Sequence, residues 1–246
     1  ERKRNPSAPF ITSTLQQQAA RQLNFRAKRT MLIAQQLYEG IALDGENPTG
    51  LITYMRTDST NISPLALNEA REYIQSVFGE SFLPKSPRFY KTRAMVAQEA
   101  HEAIRPTSVF RTPEKIKDFL NRDQYKLYQL IWKRFVSSQM ENAIYDTISV
   151  QIEGKGLQHQ YLLHASGSKL RFPGFLTLYE EAKDEDQKEG ETNAQIPDGI
   201  FEGQKQILMH IDPQQHFTQP PPRYSEATLI QALEKFGIGR PSTYAP

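Results

Sequence analysis

The sequence predicts an α+β protein of more than one unit: a mainly helical stretch, a β-rich stretch, and a return to helix. Three observations carry this. Apolar residues recur at helical spacing as far as about residue 142. From residue 143 the period falls to two. The run "QPPPRYSEATLIQALEKFG" then sets a proline stop ahead of a capped helix. The stretches these mark are 10–142, the β-rich run from about 143, and the helix after the proline stop, with an acidic loop at 181–197.

The elements follow in order. In "TSTLQQQAARQL", Ser13 followed three residues later by Gln16 is a capping-box pattern. A second helix is expected over 26–39, with Ala27, Met31, Ala34, Leu37 and Tyr38 on one stripe and Gly40 past its end. Leu51–Met55 reads as a short strand. In "NISPLALNEAREYIQSVFG", Ser63 caps, Pro64 takes the first helical position and Gly79 stops the helix. Another start stands at Thr112-Pro113. The longest periodic run, "QYKLYQLIWKRFVSSQM", lines up Tyr125, Tyr128, Ile131, Trp132, Phe135 and Val136. Such a stripe is either a base-stacking platform or core. Core is favoured, because stacking platforms use exposed strands and grooves. Beyond 143, Ile148, Val150 and Ile152 share one side of a strand, and "EGKG" offers a hairpin turn before "LQHQYLLHAS". Further strands are expected near 170–176 and 204–211. "EEAKDEDQKEGETNAQIPDG" is an acidic, low-complexity loop expected to be disordered. Ser225 caps the closing helix, and "GIGRPSTYAP" stops where another is about to begin, which reads as a cut from a longer protein.

Composition narrows the function classes. At 246 residues and a mean hydropathy of −0.62, the chain is polar with room for one large core or two smaller ones. It has no apolar run long enough to span a membrane. The basic opening "ERKRNPSAPF" lacks the apolar segment of a secretory signal. With no cysteine, thiolate metal sites and disulfides are excluded, which suits a reducing cytoplasm. The net charge of +2 is too small to argue for nucleic acid. Its distribution says more: Arg2, Lys3, Arg4, Arg21, Arg26, Lys28 and Arg29 face only Glu1, while acids dominate between Glu180 and Glu191. Such clustering marks a solvated face more often than a phosphate contact.

Four segments carry candidate chemistry. In "LITYMRTDST", Tyr54 is either a packing residue or a nucleophile. If the strand continues, Arg56 emerges on the same face, where a guanidinium grips a phosphodiester bidentately. A phenol of pKa about 10 is a better leaving group than a sugar alkoxide, so a phosphotyrosine ester stays resealable. In "AQEAHEAIRPT", the second histidine of a zinc H-E-x-x-H is missing, leaving His101 structural or in contact with a phosphate. "KDEDQKEGE" spells D-x-D-x-x-E through Asp184, Asp186 and Glu189, but no rigid frame fixes it for Mg²⁺, and a solvated loop is the better reading. "GIGRPSTYAP" is either a phosphate-binding turn or an ordinary exchange of helix caps.

"PFITSTLQQQA", "LITYMRTDSTNIS", "QEAHEAIRPT" and "YSEATLIQALEKFGIGRPSTYA", in this order, resemble the bacterial type IA DNA topoisomerases. Met55 resembles the topoisomerase I branch, where the topoisomerase III branch more often has proline. The resemblance covers nearly the whole chain. It implies that Tyr54 forms a 5′-phosphotyrosine with single-stranded DNA, that Arg56 and His101 sit beside that phosphate, and that Arg240, Ser242 and Thr243 line the groove leading DNA to the tyrosine. It also implies an isomerase that nicks, passes and reseals one strand of negatively supercoiled DNA in the bacterial nucleoid. Residues 1–10 would end a first arch segment, 11–142 carry the tyrosine, 143–217 form a β-rich arch or hinge, and 218–246 begin a helical groove domain. The family's Mg²⁺ is bound by a TOPRIM domain that this sequence lacks, so no metal is expected in this chain. The alternative is a non-catalytic single-stranded nucleic-acid-binding or structural module, and the isolated chain is expected to be inactive.

Overall fold

The computed structural model describes residues 1–43, 47–90, 101–156, 158–182, 196 and 199–244. Asp184, Asp186 and Glu189, with nearly all of the expected acidic loop, lie outside the described residues. In chain order the elements are β1 (Arg2–Arg4), α1 (Thr12–Leu23), α2 (Ala27–Glu39), α3 (Pro64–Phe78), α4 (Pro113–Ile116), α5 (Arg122–Ser138), β2 (Ala143–Lys155), β3 (Gln160–Phe172) and α6 (Glu226–Lys235). Among the described residues, no helix is long and apolar enough to cross a membrane.

Helix α5 is the centre of the core. Its side chains Leu127, Tyr128, Ile131, Phe135 and Val136 are buried against Leu15 and Ala19 of α1, Ala34 and Leu37 of α2, and Ile74 of α3. The two large polar aromatics find backbone partners, as burial requires. Tyr128 Oη donates to the Arg111 carbonyl at 2.6 Å and Trp132 Nε1 to the Val109 carbonyl at 2.9 Å. The aromatic stripe is therefore core, with Tyr125 at its half-buried edge. Asn121 starts α5 by accepting from the Asp123 and Gln124 amides, and Ser63 and Ser225 cap α3 and α6 as their sequences predict.

Helix α1 departs from expectation. Its N-cap is Ile11, whose amide donates to Thr14 Oγ1 at 3.0 Å, so the reciprocal bond falls outside the Ser13–Gln16 pair. A tertiary tie sets the boundary: the Thr12 amide donates to the Thr57 carbonyl at 2.9 Å, and Thr12 Oγ1 donates to the Met55 carbonyl at 2.8 Å. Ser13 Oγ and the Gln16 amide are left buried without a partner among the described residues.

Leu51–Met55 is not a strand. It makes one bridge, between Ile52 and Pro106. The reason lies in the partners. The return donors are spent elsewhere: the Leu51 amide goes to the Leu37 carbonyl at the end of α2, at 2.8 Å, and the Arg105 amide to Thr53 Oγ1, at 3.0 Å. The bridge's own two bonds, Thr53 amide to Arg105 carbonyl and Thr107 amide to Leu51 carbonyl, both 2.9 Å, fix the segment without making a ladder.

The sheet is antiparallel in the order β1-β2-β3. Ile148, Val150 and Ile152 share a face with Ala165, Leu163 and Tyr161 across the hairpin, as the period of two implies. The turn comes later than "EGKG" suggests: β2 runs to Lys155, and Gly156 donates to the His159 carbonyl at 3.0 Å. Of the strand expected at 170–176, only 170–172 is strand. The chain then turns at Gly174, whose φ of +49° excludes most side chains and whose added Cβ would lie 2.4 Å from the Asn142 carbonyl oxygen. Residues 204–211 form no strand either. No described strand pairs with them, and Ile207 and Met209 stand exposed.

Helix α6 packs on α1 through buried Ala227 and Ile230. Its Glu226 carboxylate accepts from the Ala27 amide at 2.9 Å, satisfying a free donor where α2 begins. Several of the clustered basic residues serve the fold: Lys3 pairs with Glu1, Arg4 with Glu180 and Arg29 with Asp123. Among the described residues the most buried arginine, Arg134, lies over the rings of Phe10 and Tyr179, donates to the Ala8 carbonyl and pairs with Glu181.

Candidate active site

Tyr54 owes its position to its neighbours. Met55 is buried in the core, and Thr12 pins the backbone at both Met55 and Thr57. On the other side, Thr53 Oγ1 donates to the Ala103 carbonyl at 2.6 Å and accepts from the Arg105 amide at 3.0 Å. With residues on either side held, Tyr54 and Arg56 both face solvent, and the Tyr54 side is 43% exposed. The arrangement expected from a strand thus arises from an irregular segment, because Met55 points in.

The Tyr54 ring stands between two others. Tyr38 meets it edge to face, with centroids 5.4 Å apart, and His101 lies 6.4 Å away on centroids. Together with Thr53, Thr57 and Glu102 they line an open cleft of about 260 Å³. His101 is half-exposed, and its ring nitrogens make no hydrogen bond among the described residues. Glu102 is the cleft's carboxylate, and it is committed. It accepts from the Ser63 amide at 2.7 Å, and from Arg105 Nε and Nη2 at 3.1 and 2.6 Å. Its charge therefore caps α3 and holds Arg105.

The other candidates meet the site through Arg56. Its Nη1 donates to the Ser242 carbonyl at 3.4 Å, a long bond that leaves most of the guanidinium open. Arg240 and Thr243 close a turn: the Arg240 amide donates to Thr243 Oγ1 at 2.8 Å, and the Thr243 amide to the Arg240 carbonyl at 2.9 Å. The Arg240, Ser242 and Thr243 side chains are exposed. Tyr244, which the motif reading passed over, is half-buried next to this turn. Burial pushes its phenol up, Glu234 and Asp58 add to the rise, and Arg240 opposes it.

Among the described residues, no group of three His, Asp or Glu side chains could hold a metal ion. With Glu102 already engaged, these residues do not offer a Mg²⁺ site. Tyr38, Glu102 and Arg105 also escaped the sequence reading. Tyr38 reads as part of the core stripe of α2, though its place in the last turn before Gly40 puts it at the helix edge.

The family model described as DNA topoisomerase matches residues 1–246. Among solved structures, full-length topoisomerase I from Thermotoga maritima is similar at 39% identity and a TM-score of 0.75, over 99% of this chain and 37% of that one. The chain thus spans well under half the length of that relative.

Proposed function

The chain belongs to the DNA topoisomerase family, and from that membership we propose that it is the tyrosine-bearing part of a type IA enzyme that relaxes negatively supercoiled DNA. The observation that supports this best is Tyr54 itself: an exposed phenol on a fixed backbone, in an open cleft beside His101, with an exposed guanidinium two residues on. Tyr54 Oη attacks the phosphorus of a single-stranded phosphodiester. A phosphorus–phenolic oxygen bond forms as the phenol gives up its proton, the bond to the 3′ oxygen breaks and that oxygen leaves as a hydroxyl by taking up a proton, and the 5′ phosphate remains on the tyrosine. Return of the 3′ hydroxyl reverses these changes and reseals the strand. Arg56, held only by one long bond, is free to bind the non-bridging oxygens. His101 presents uncommitted ring nitrogens to the same phosphate, and the turn of Arg240, Ser242 and Thr243 guides the strand towards it. The finer division into arch, tyrosine and groove domains belongs to this reading.

The reaction's Mg²⁺ would be held outside this chain, since the cleft's carboxylate is occupied by Ser63 and Arg105, and no step here is routed through it. For the same reason, we propose that the isolated 246 residues bind single-stranded DNA weakly and do not turn over. The test of the enzyme reading is Tyr54→Phe in the full-length protein carrying this chain. Loss of a single oxygen should abolish covalent capture of an oligonucleotide while leaving its binding within a few fold. A phosphotyrosyl adduct that survives the substitution would remove Tyr54 from the mechanism.

A further inference from the structure

We infer that Tyr38 is a positioning residue that holds the Tyr54 ring in its attacking orientation, an inference that rests on the reading of Tyr54 as nucleophile. Tyr38 sits in the last turn of α2, which at first suggests core. Yet it is 41% exposed and lines the cleft. Its ring meets Tyr54 at an interplanar angle of 66°, the edge-to-face geometry that aromatic pairs favour. With His101 near the same ring at 68°, Tyr54 is confined between two neighbours, although its backbone alone would leave χ1 free to turn.

What makes Tyr38 a brace is how rigidly its backbone is joined to the Tyr54 segment. The Leu51 amide donates to the Leu37 carbonyl at 2.8 Å, tying the end of α2 to the chain three residues before Tyr54. Gly50 packs so closely that a Cβ there would lie 2.8 Å from the Tyr38 carbonyl oxygen. The Ile41–Thr49 bridge, with bonds of 3.0 Å in both directions, closes the intervening loop. Helix α2 itself is packed on α5 and the core. The Tyr38 ring is therefore carried by a helix packed in the core to the edge of the exposed Tyr54 ring. The Tyr38 hydroxyl makes no hydrogen bond among the described residues, so the ring rather than the hydroxyl supplies the contact.

The brace acts on the chemical step and not on DNA binding, because a near-attack geometry is what a displaced Tyr54 would lose. The experiment follows covalent adduct formation in a single turnover on an end-labelled, single-stranded oligonucleotide, at several oligonucleotide concentrations, with the full-length protein carrying this chain. Tyr38→Ala should lower the saturated rate about ten- to a hundred-fold, with the half-saturating concentration within about two-fold. Tyr38→Phe should keep the saturated rate within about two-fold. Gly50→Ala, which must push the Tyr38 backbone away, should reproduce the alanine loss without touching either ring. The inference is overturned by a Tyr38→Ala rate equal to wild type. It is equally overturned by a higher half-saturating concentration at an unchanged saturated rate, which would make Tyr38 a DNA contact, or by Tyr38→Phe losing as much as Tyr38→Ala, which would assign the work to the hydroxyl. Wild-type protein that forms no adduct would overturn the reading of Tyr54 and this inference together. A wild type that forms adduct beside an unaffected Tyr38→Ala would overturn this inference alone.

Discussion

Two places in this molecule bring together an arginine, a tyrosine and a glutamate, and they use them in opposite ways. Around Arg134 every group is engaged. The guanidinium is 4% exposed, lies 4.9 Å from the Phe10 centroid and 5.3 Å from that of Tyr179, bonds to the Ala8 carbonyl, and pairs with Glu181. Around Tyr54 the backbone is equally well tied and Glu102 is bonded, but the arginine and the tyrosine are open. Arg56 holds a single 3.4 Å bond, and the Tyr54 phenol has no partner among the described residues. Residue types alone therefore do not separate a structural cluster from the candidate site. What separates them is whether buried charges are fully satisfied or whether donors are left open at the surface.

The largest expected effect lies on the scaffold side. Arg134→Ala removes the bonds to the Ala8 carbonyl and Tyr179 and the packing on two rings, while Glu181 keeps Ser7 and solvent; with each bond to a charged group worth about 1.5–3 kcal/mol, the loss should be about 3 kcal/mol. Denaturant unfolding should show that loss, while adduct formation per folded molecule stays unchanged. A cleavage defect in the folded fraction would erase the distinction between the two places.

Arg56→Lys should do the reverse. Lysine keeps the charge and loses the planar fork, so cleavage should fall roughly ten- to a thousand-fold, as when one preorganised oxyanion contact is lost. Stability should move by less than about 0.5 kcal/mol, as for an exposed residue with few contacts. Near-wild-type rates would reduce Arg56 to a point charge. Thr53→Val sits between the two regimes. It deletes the hydroxyl that bonds Ala103 and Arg105, and should cost about 1 kcal/mol of stability together with a smaller loss of cleavage rate than Arg56→Lys. A full-sized cleavage loss without destabilisation would place Thr53 among the reacting groups.

How much of this was legible beforehand depended on whether a feature is local. The caps at Ser63 and Ser225, the stop at Gly79 and the stripe of α5 are set by neighbours within a turn or two, and the sequence displays them. The α1 start was misplaced because a contact 45 residues away, Thr12 to Thr57, outranks the Ser13–Gln16 pattern. The strand at 51–55 fails because the Leu51 amide goes to the Leu37 carbonyl and the Arg105 amide to Thr53 Oγ1, contacts that no local window contains. In the candidate site, Tyr54, Arg56 and His101 could be singled out by motif. Tyr38 and Glu102 could not, because Tyr38 reads as helix stripe and Glu102 acquires its partners only when Ser63 and Arg105 come together.

The smallest effect is an acid one, and it probes whether the Arg134 cluster is as fully engaged as its geometry states. Burial raises the Glu181 pKa, but the Arg134 charge and hydrogen bond, with a bond from Ser7 and the field of Arg21, outweigh it and hold the carboxyl below its ordinary value of 4.5. A carboxyl depressed in the folded state binds its proton more readily when unfolded, so it adds stability above its unfolded pKa and loses it as pH falls through the folded one. The stability difference between wild type and Glu181→Gln should therefore be steady from pH 7 down to the ordinary value, and shrink below it. Because the Glu181 side chain is 37% exposed, solvent screens the pair and the pH-dependent part should stay under about 1 kcal/mol. Matched unfolding curves of the two proteins on either side of that value measure it. A difference that grew on acidification would mean that burial wins over Arg134, and that the cluster carries an unsatisfied charge after all.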